Sequence, residues 1–551
     1  MTWSDVSWRV SLPALVFAAL LLAVLLRAAP AGAEQIVPGQ ALNQGQVAAV
    51  TAAALAFMAP RTLEPVGIPQ MAVWGLRGLT TLDPRLTADL ATDDAGTAIL
   101  RLIGPSRVLY QRPAPPVGDA AAWGAAVGQV IRTGWDASDV VRRAGTQTVL
   151  RSFFDELFNH LDPYSRYAPP AEAAADRVRR AGRATLGIQP GLSGGAFIVR
   201  AVQSDGPAAV AGIRAGDRIL AIDGQTVQGA DLQAVGALLA GPEGSRAQLT
   251  IRGRDGRPRV VEMERVLLPP ETVTSARRDD LLVVSIASFA RNTAARFAQE
   301  VIRGVDAAPP PRAVVVDLRG NRGGVLQQAV ATAAMLQPEG VVAITAGRDP
   351  EAAHEFRAEG RDLARGLPVV VLVDGRSASA AEILAASLAD QRRAVVVGSA
   401  TLGKGLVQTI AGLPDGGELL VTWSRVLAPR GWPIQGLGVL PQLCTSLGSD
   451  ATARQIESLA AGVQKLAPAL VRHRAARAPV KPGDALDIRA VCPGAEGRED
   501  DLAAVRALFA APGAYAAALM GPAPPPSILG SAQRGPTFTG TGLTGTPPVR
   551  N

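Results

Sequence analysis

This 551-residue chain has 55 lysines and arginines together, but just three are lysines: Lys404, Lys465 and Lys481. The first stands between glycines, Gly403-Lys404-Gly405, after 403 residues that carry none. Guanidinium keeps its charge at any biological pH, whereas a desolvated amine can lose its proton and become a base. Lys404 is therefore the first candidate for proton transfer, although taken alone a single Lys/Arg exchange in an arginine-rich chain accounts for it better. Ser379, 25 residues upstream, changes the balance. A serine hydroxyl is a weak nucleophile until a base takes its proton. An amine can be that base once burial brings it down from about 10.4 to near neutrality, at roughly 4 kcal/mol. Leu402 and Leu406 predict such a dry setting around Lys404. One helix and one strand fill the interval between the two residues, which returns the chain to the edge it left and sets serine opposite lysine.

Each of these residues also has an ordinary reading. Ser379-Ala380-Ala381-Glu382 is a capping box, so the serine could simply close a helix N-terminus. The two roles are compatible, because a helix start is where backbone N–H groups favour a developing oxyanion. Glu382 either caps the helix or positions the site, and Ser377 reads as structural. Gly323-Gly324 marks a turn, and that turn joins a strand to a helix at the edge where backbone donors would be aimed. Gln408, four residues after Lys404, is either an exposed strand polar residue or a partner of the lysine. The stretch around His354 is polar and irregular, which argues against Ser/His/Asp chemistry. Gly398 to Lys404 fits the G-x-x-x-x-G-K phosphate loop, but Gly405 replaces the required hydroxyl and Leu406 to Ile410 reads as a strand where a helix should start. The nucleotide reading is set aside.

The elements that must position these residues form an α/β alternation beyond about Pro270. Ala313 to Leu318 is predicted as a buried strand, Gly320 to Gly324 as a loop and Val325 to Leu336 as a helix. A second unit follows the same plan: Pro368 to Val373 strand, Ser379 to Ala389 helix, Ala394 to Val397 strand. This predicts parallel strands with helical crossovers. Upstream, residues 1–33 have Arg9 in a polar head, an apolar run from Leu12 to Leu26, and Ala31-Gly32-Ala33, the grammar of a signal peptide. Arg27 leaves a second outcome open, an uncleaved N-terminal anchor. Residues 34–180 read as a helical region, residues 181–265 as short strands between glycine turns, residues 446–520 as helical and residues 521–551 as a disordered Pro/Gly/Thr tail. An exported chain is able to join Cys444 to Cys492, although their spacing establishes no geometry.

Within the strand-rich part, Leu186-Gly187-Ile188 and the run Gly212-Ile213-Arg214-Ala215-Gly216-Asp217 through Asp223-Gly224 resemble a bacterial PDZ domain. The resemblance implies a groove that takes a peptide as an added strand, its C-terminal carboxylate held by N–H groups around Leu186, Gly187 and Ile188. With Leu161-Asp162-Pro163-Tyr164-Ser165, Asp317 through Gly324, the serine helix, the glycine-bracketed lysine and Ile434-Gln435-Gly436-Leu437-Gly438-Val439, the chain resembles the C-terminal processing peptidases of the S41 type from about Val149 through Leu443. That resemblance implies an S41 protease core over residues 266–445, related to the ClpP/crotonase superfold, with the PDZ domain inserted before it. It also implies Ser379 as nucleophile, Lys404 as general base, Gln408 as the residue orienting the lysine, and an oxyanion hole from the N–H groups of Gly324 and Ala380. Ser399 and Arg322 depart from the family pattern, at positions that bear on substrate fit.

The reading is a periplasmic or exported serine endopeptidase, with anchoring to the inner membrane by its N-terminal segment as the second outcome. It would take polypeptides with free C-terminal tails, with an adaptor protein as a further candidate partner. The alternatives are a non-catalytic PDZ scaffold and a crotonase-like acyl-CoA enzyme. A net charge of +7 is dispersed among 48 acidic residues, with few aromatics, which argues against nucleic acid. Two cysteines and three scattered histidines give no metal-ligand set, and no cofactor is called for.

Overall fold

The computed structural model describes residues 42–181, 184–203, 206–268, 271–497, 499–520 and 534–539. The segment read as a signal peptide or anchor lies outside them. Among the described residues no helix is long and apolar enough to cross a membrane.

The core is built on strands with few polar residues to expose. Val369–Val373 and Ala394–Gly398 are buried along their whole length, as expected of parallel strands covered on both faces. They sit in a six-stranded sheet of order Val273–Arg278, Leu281–Ile286, Ala313–Asp317, Val369–Val373, Ala394–Gly398, Leu443–Cys444. The first pair is antiparallel and the rest are parallel. Strand alternation separates the two faces. Val314, Val316, Val369 and Val371 meet the helices Thr293–Val305, Leu326–Ala334 and Ala380–Asp390. Val315, Val370, Leu372 and Val395 meet the C-terminal helices Ser449–Ala460, Asp500–Ala510 and Ala514–Met520. All eleven residues of Ala380–Asp390 are buried, and its Ile383, Leu384 and Leu388 each contribute about 1.5–3 kcal/mol by leaving water. The helix that begins at Ser379 is thus fixed on every side.

A second sheet stands beside the first. Its strands, in order, are Leu406–Gly412, Glu418–Leu427, Glu339–Gly347 and His354–Glu359, and Arg166–Ala168 also pairs with Glu418–Leu427. Leu413, Leu419 and Val421 share an apolar cluster with Trp123, Phe153 and Phe154 of the N-terminal region, so that region packs against the lysine-bearing sheet.

Three expectations are corrected. The N-terminal region is not only helical: Thr87–Thr92, Ala98–Ile103 and Val108–Pro113 form a three-stranded antiparallel sheet. Asp93 closes its first turn by accepting from the N–H groups of Ala95 and Thr97. The stretch at His354 is a strand, His354–Glu359, because its polar residues alternate with Phe356 and Ala358, both buried. The tail read as disordered contributes a strand, Arg534–Thr539, which pairs in parallel with His354–Glu359. Cys444 and Cys492 form a disulfide.

The strand-rich part folds as a sheet of order Pro258–Glu264, Arg246–Arg252, Arg218–Ile222, Ala196–Val202, Ile188–Ser193. Ile188–Ser193 is the edge strand, and the helix Leu232–Leu239 packs beside it.

Candidate active site

Ser379 enters its helix in an unusual way. Its backbone sits at φ 57°, ψ −117°, whereas an ordinary cap residue is extended. A non-glycine residue held there costs about 1–3 kcal/mol, and such strain concentrates at functional sites. The carboxylate half of the capping box forms, with Ser379 N–H donating to Glu382 Oε2 at 2.7 Å. Capping alone would not require the strained backbone.

Glu382 does more than cap. Its buried carboxylate also accepts from the Thr401 hydroxyl, from Gly403 N–H at 2.7 Å and from Lys404 N–H at 2.9 Å. One carboxylate therefore ties the serine turn to the lysine loop. Burial pushes its carboxyl above the ordinary range, and those four donors oppose the push. The sequence left Glu382 between two roles, and it holds both.

The glycine loop lies against the serine. A Cβ on Gly323 would come within 2.7 Å of Ser379 Cβ, so only glycine fits, and its φ of 96° favours glycine as well. Asn321, which sequence reasoning passed over, braces this loop from a fully buried position. Its side chain donates to Ile286 C=O at 2.7 Å and accepts from Gly323 N–H at 2.8 Å, while its C=O takes Ala378 N–H at 2.9 Å. Asp374 does the same one turn earlier for Gly320, Arg376 and Ser377. Ser377 donates to Leu318 C=O and is structural, as read. Among the described residues the N–H groups of Gly324 and Ala380 have no acceptor.

Ser379, Lys404, Gln408 and Gly324 line one groove of about 730 Å³, together with Ile383 and Leu406. Lys404 is half-buried, with Nζ 4.9 Å from the centre of the Tyr164 ring, and it is not hydrogen-bonded to Ser379. The expected flanking leucines divide: Leu406 is buried, but Leu402 is 54% exposed and turns to solvent. Tyr164 supplies the apolar face instead. Gln408 donates to Thr422 Oγ1 at 3.0 Å and to Leu406 C=O at 3.3 Å. His354 also lines the groove, yet its ring has no carboxylate partner among the described residues. After Lys404 the chain enters the strand Leu406–Gly412, which removes the helix a phosphate loop needs.

In the other domain, Leu186 is buried and Gly187 sits at φ 76°. Their N–H groups have no acceptor among the described residues, and Ile188 begins the edge strand. Ser399, noted as a departure, is bonded to Ala495 on both sides and lies away from the groove. Arg322 is exposed at its rim.

The model of peptidase family S41 matches residues 280–444, and a PDZ domain model matches residues 198–253. The chloroplastic C-terminal processing peptidase of Tetradesmus obliquus is 32% identical over 352 residues, covering 57% of this chain and 74% of that one. The carboxy-terminal-processing protease of Bartonella bacilliformis is 32% identical over 303 residues, covering 54% and 69%. A solved photosystem II D1 C-terminal processing protease is 31% identical, covering 56% of this chain and 88% of that one, with a TM-score of 0.34.

Proposed function

The chain belongs to peptidase family S41 and carries a PDZ domain, and from that premise we propose that it is an exported serine endopeptidase working through Ser379 and Lys404. The observation that carries this reading is the strained Ser379 at the head of a buried helix, sharing one groove with Lys404 and Gly324, beside N–H groups of Gly324 and Ala380 that have no acceptor among the described residues.

A polypeptide tail would add as a strand along Ile188–Ser193, its carboxylate received by the N–H groups around Leu186, Gly187 and Ile188. With a scissile carbonyl in the groove, Lys404 leaves the Tyr164 ring and takes the Ser379 proton as Oγ attacks. The tetrahedral oxyanion is met by Gly324 and Ala380 N–H, donors fixed in advance by Asn321 and by the helix start. Lys404 then returns the proton to the leaving amine. Water, deprotonated by the same amine, releases the acyl group from Ser379. Gln408 holds the lysine in line. No metal or cofactor is needed for any of these steps. Export is supported by the apolar N-terminal segment and by the Cys444–Cys492 bridge, a bond that persists in oxidising compartments. An adaptor protein remains a candidate partner at the surfaces outside the groove.

The test is cleavage of an unfolded polypeptide by the full chain beside Ser379→Ala, Lys404→Ala and Lys404→Arg. All three variants are expected to lose activity by at least a thousandfold, Lys404→Arg because it keeps the charge and loses the base. Equal proteolysis by all four proteins refutes the assignment. Inactivity of the unaltered chain as well favours the PDZ scaffold.

A further inference from the structure

We propose that the turn Asp162–Ser165, contributed by the N-terminal region, is part of the catalytic apparatus: Asp162, acting through Thr422, decides which end of the Gln408 amide faces Lys404. The inference rests on the Ser379/Lys404 reading above and adds positioning residues to it.

The geometry starts at Asp162. Its Oδ1 accepts from Tyr164 N–H at 2.9 Å, from Ser165 N–H at 3.0 Å and from Thr422 Oγ1 at 2.7 Å, and its Oδ2 accepts from the Ser165 hydroxyl. Thr422 is bound a second time, its N–H donating to Ser165 Oγ at 2.9 Å. Thr422 is buried to 1% exposure on Glu418–Leu427, the strand that pairs with the lysine strand, and its register partner there is Gln408. A contact across 260 residues of sequence thus ends beside Gln408, four residues after the base.

The direction of these bonds carries the argument. A carboxylate only accepts, so the single Thr422 hydroxyl proton is committed to Asp162. Toward Gln408 the same oxygen can then only accept, so the amide must present its NH₂ group there. The Leu406 C=O, 3.3 Å from the same nitrogen, imposes the same choice. Gln408 Oε1 is left as the outward end, and an ammonium needs an acceptor. With the opposite orientation the amide would set a donor against a donor. The same turn reaches the lysine directly as well, through the Tyr164 ring 4.9 Å from Nζ.

The test compares kcat and KM on an unfolded polypeptide for the full chain carrying Thr422→Val, Thr422→Ser, Gln408→Ala, or Thr422→Val with Gln408→Ala. Valine keeps the shape and removes the hydroxyl, while serine keeps the hydroxyl. Thr422→Val is expected to lower kcat about tenfold with KM changed less than about twofold, as for loss of one buried hydrogen bond at the base. Thr422→Ser should recover most of that loss, and the double variant should be no slower than Gln408→Ala alone. Wild-type kcat in Thr422→Val or in Gln408→Ala, or losses that multiply in the double variant, overturns the relay. Should Thr422→Val fail to fold, Asp162→Asn reads the relay from its other end by the same criteria. If Ser379→Ala keeps its activity, the underlying reading fails too. If Ser379→Ala is inactive and Thr422→Val is not impaired, the relay alone fails.

Discussion

Glu382→Gln removes one oxygen from the side chain that joins the two halves of the site. The carboxylate takes four donors: Ser379 N–H and Lys404 N–H on Oε2, and Gly403 N–H and the Thr401 hydroxyl on Oε1. Glutamine keeps one acceptor and turns an NH₂ group toward whichever pair it abandons. Thr401 can rotate its hydroxyl, but backbone N–H groups cannot, and Glu382 is fully buried, so no water replaces the lost acceptor. An unsatisfied buried donor costs about 1–3 kcal/mol. The cheaper orientation, with the NH₂ toward Gly403 and Thr401, orphans a single N–H, and that cost is divided between global stability and displacement of the lysine loop. A displacement that takes even about 1.4 kcal/mol from the attack geometry slows acylation about tenfold. The assay is the labelling rate of Ser379 by a serine-reactive probe, read beside the unfolding midpoint. Labelling at least about tenfold slower, with a lowered midpoint, is expected. Wild-type labelling and an unchanged midpoint together would falsify the view that this carboxylate sets the distance between serine and lysine.

Two further predictions concern the glycine loop and acid stability. Gly323→Ala places a methyl group 2.7 Å from Ser379 Cβ and 2.8 Å from Ala378 O, so cleavage is expected to fall at least about tenfold while the midpoint changes by no more than an ordinary core substitution; unaltered kcat contradicts the packing argument. His473 is buried with Nε2 2.8 Å from Gly438 O, and burial lowers it from 6.5 to about 4. The unfolded chain binds the extra proton between those values, so this contribution is complete above pH 6.5 and is lost as the pH falls toward 4. The loss is about 3 kcal/mol, measurable as a falling urea midpoint that His473→Asn should flatten, and an equally steep fall in that variant would contradict it.

The parallel core was legible because its strands are buried on both faces: runs such as Val369-Val370-Val371-Leu372-Val373 leave nothing for solvent. The meeting of Ser379, Lys404 and Gln408 in one groove was legible because the spacing of one helix and one strand is local. The strain at Ser379 was not, since no residue type announces φ 57° there. The partners of Gln408 were hidden for a different reason: Thr422 lies across a strand pair, and Asp162 lies 260 residues from Thr422, on the far side of the PDZ domain. The dry setting assigned to Leu402 failed because alternation into Leu406–Gly412 begins after the loop, leaving Leu402 free to point outward. The N-terminal sheet was missed because its Ala/Leu content outweighed the turn at Asp93-Asp94-Ala95-Gly96.

The PDZ domain leaves the chain between two anchored strands, Arg166–Ala168 on the lysine-bearing sheet and Val273–Arg278 on the serine-bearing one. Both doorposts therefore belong to the layers that carry Ser379 and Lys404, and the module hangs between them like a bead on a closed loop. The entropy of closing such a loop grows only with the logarithm of its length, about 0.6 kcal/mol per doubling. Exchange of one recognition module for another of different size is thus thermodynamically inexpensive for the core, and this architecture lets selectivity diversify while the machinery that cuts is left alone.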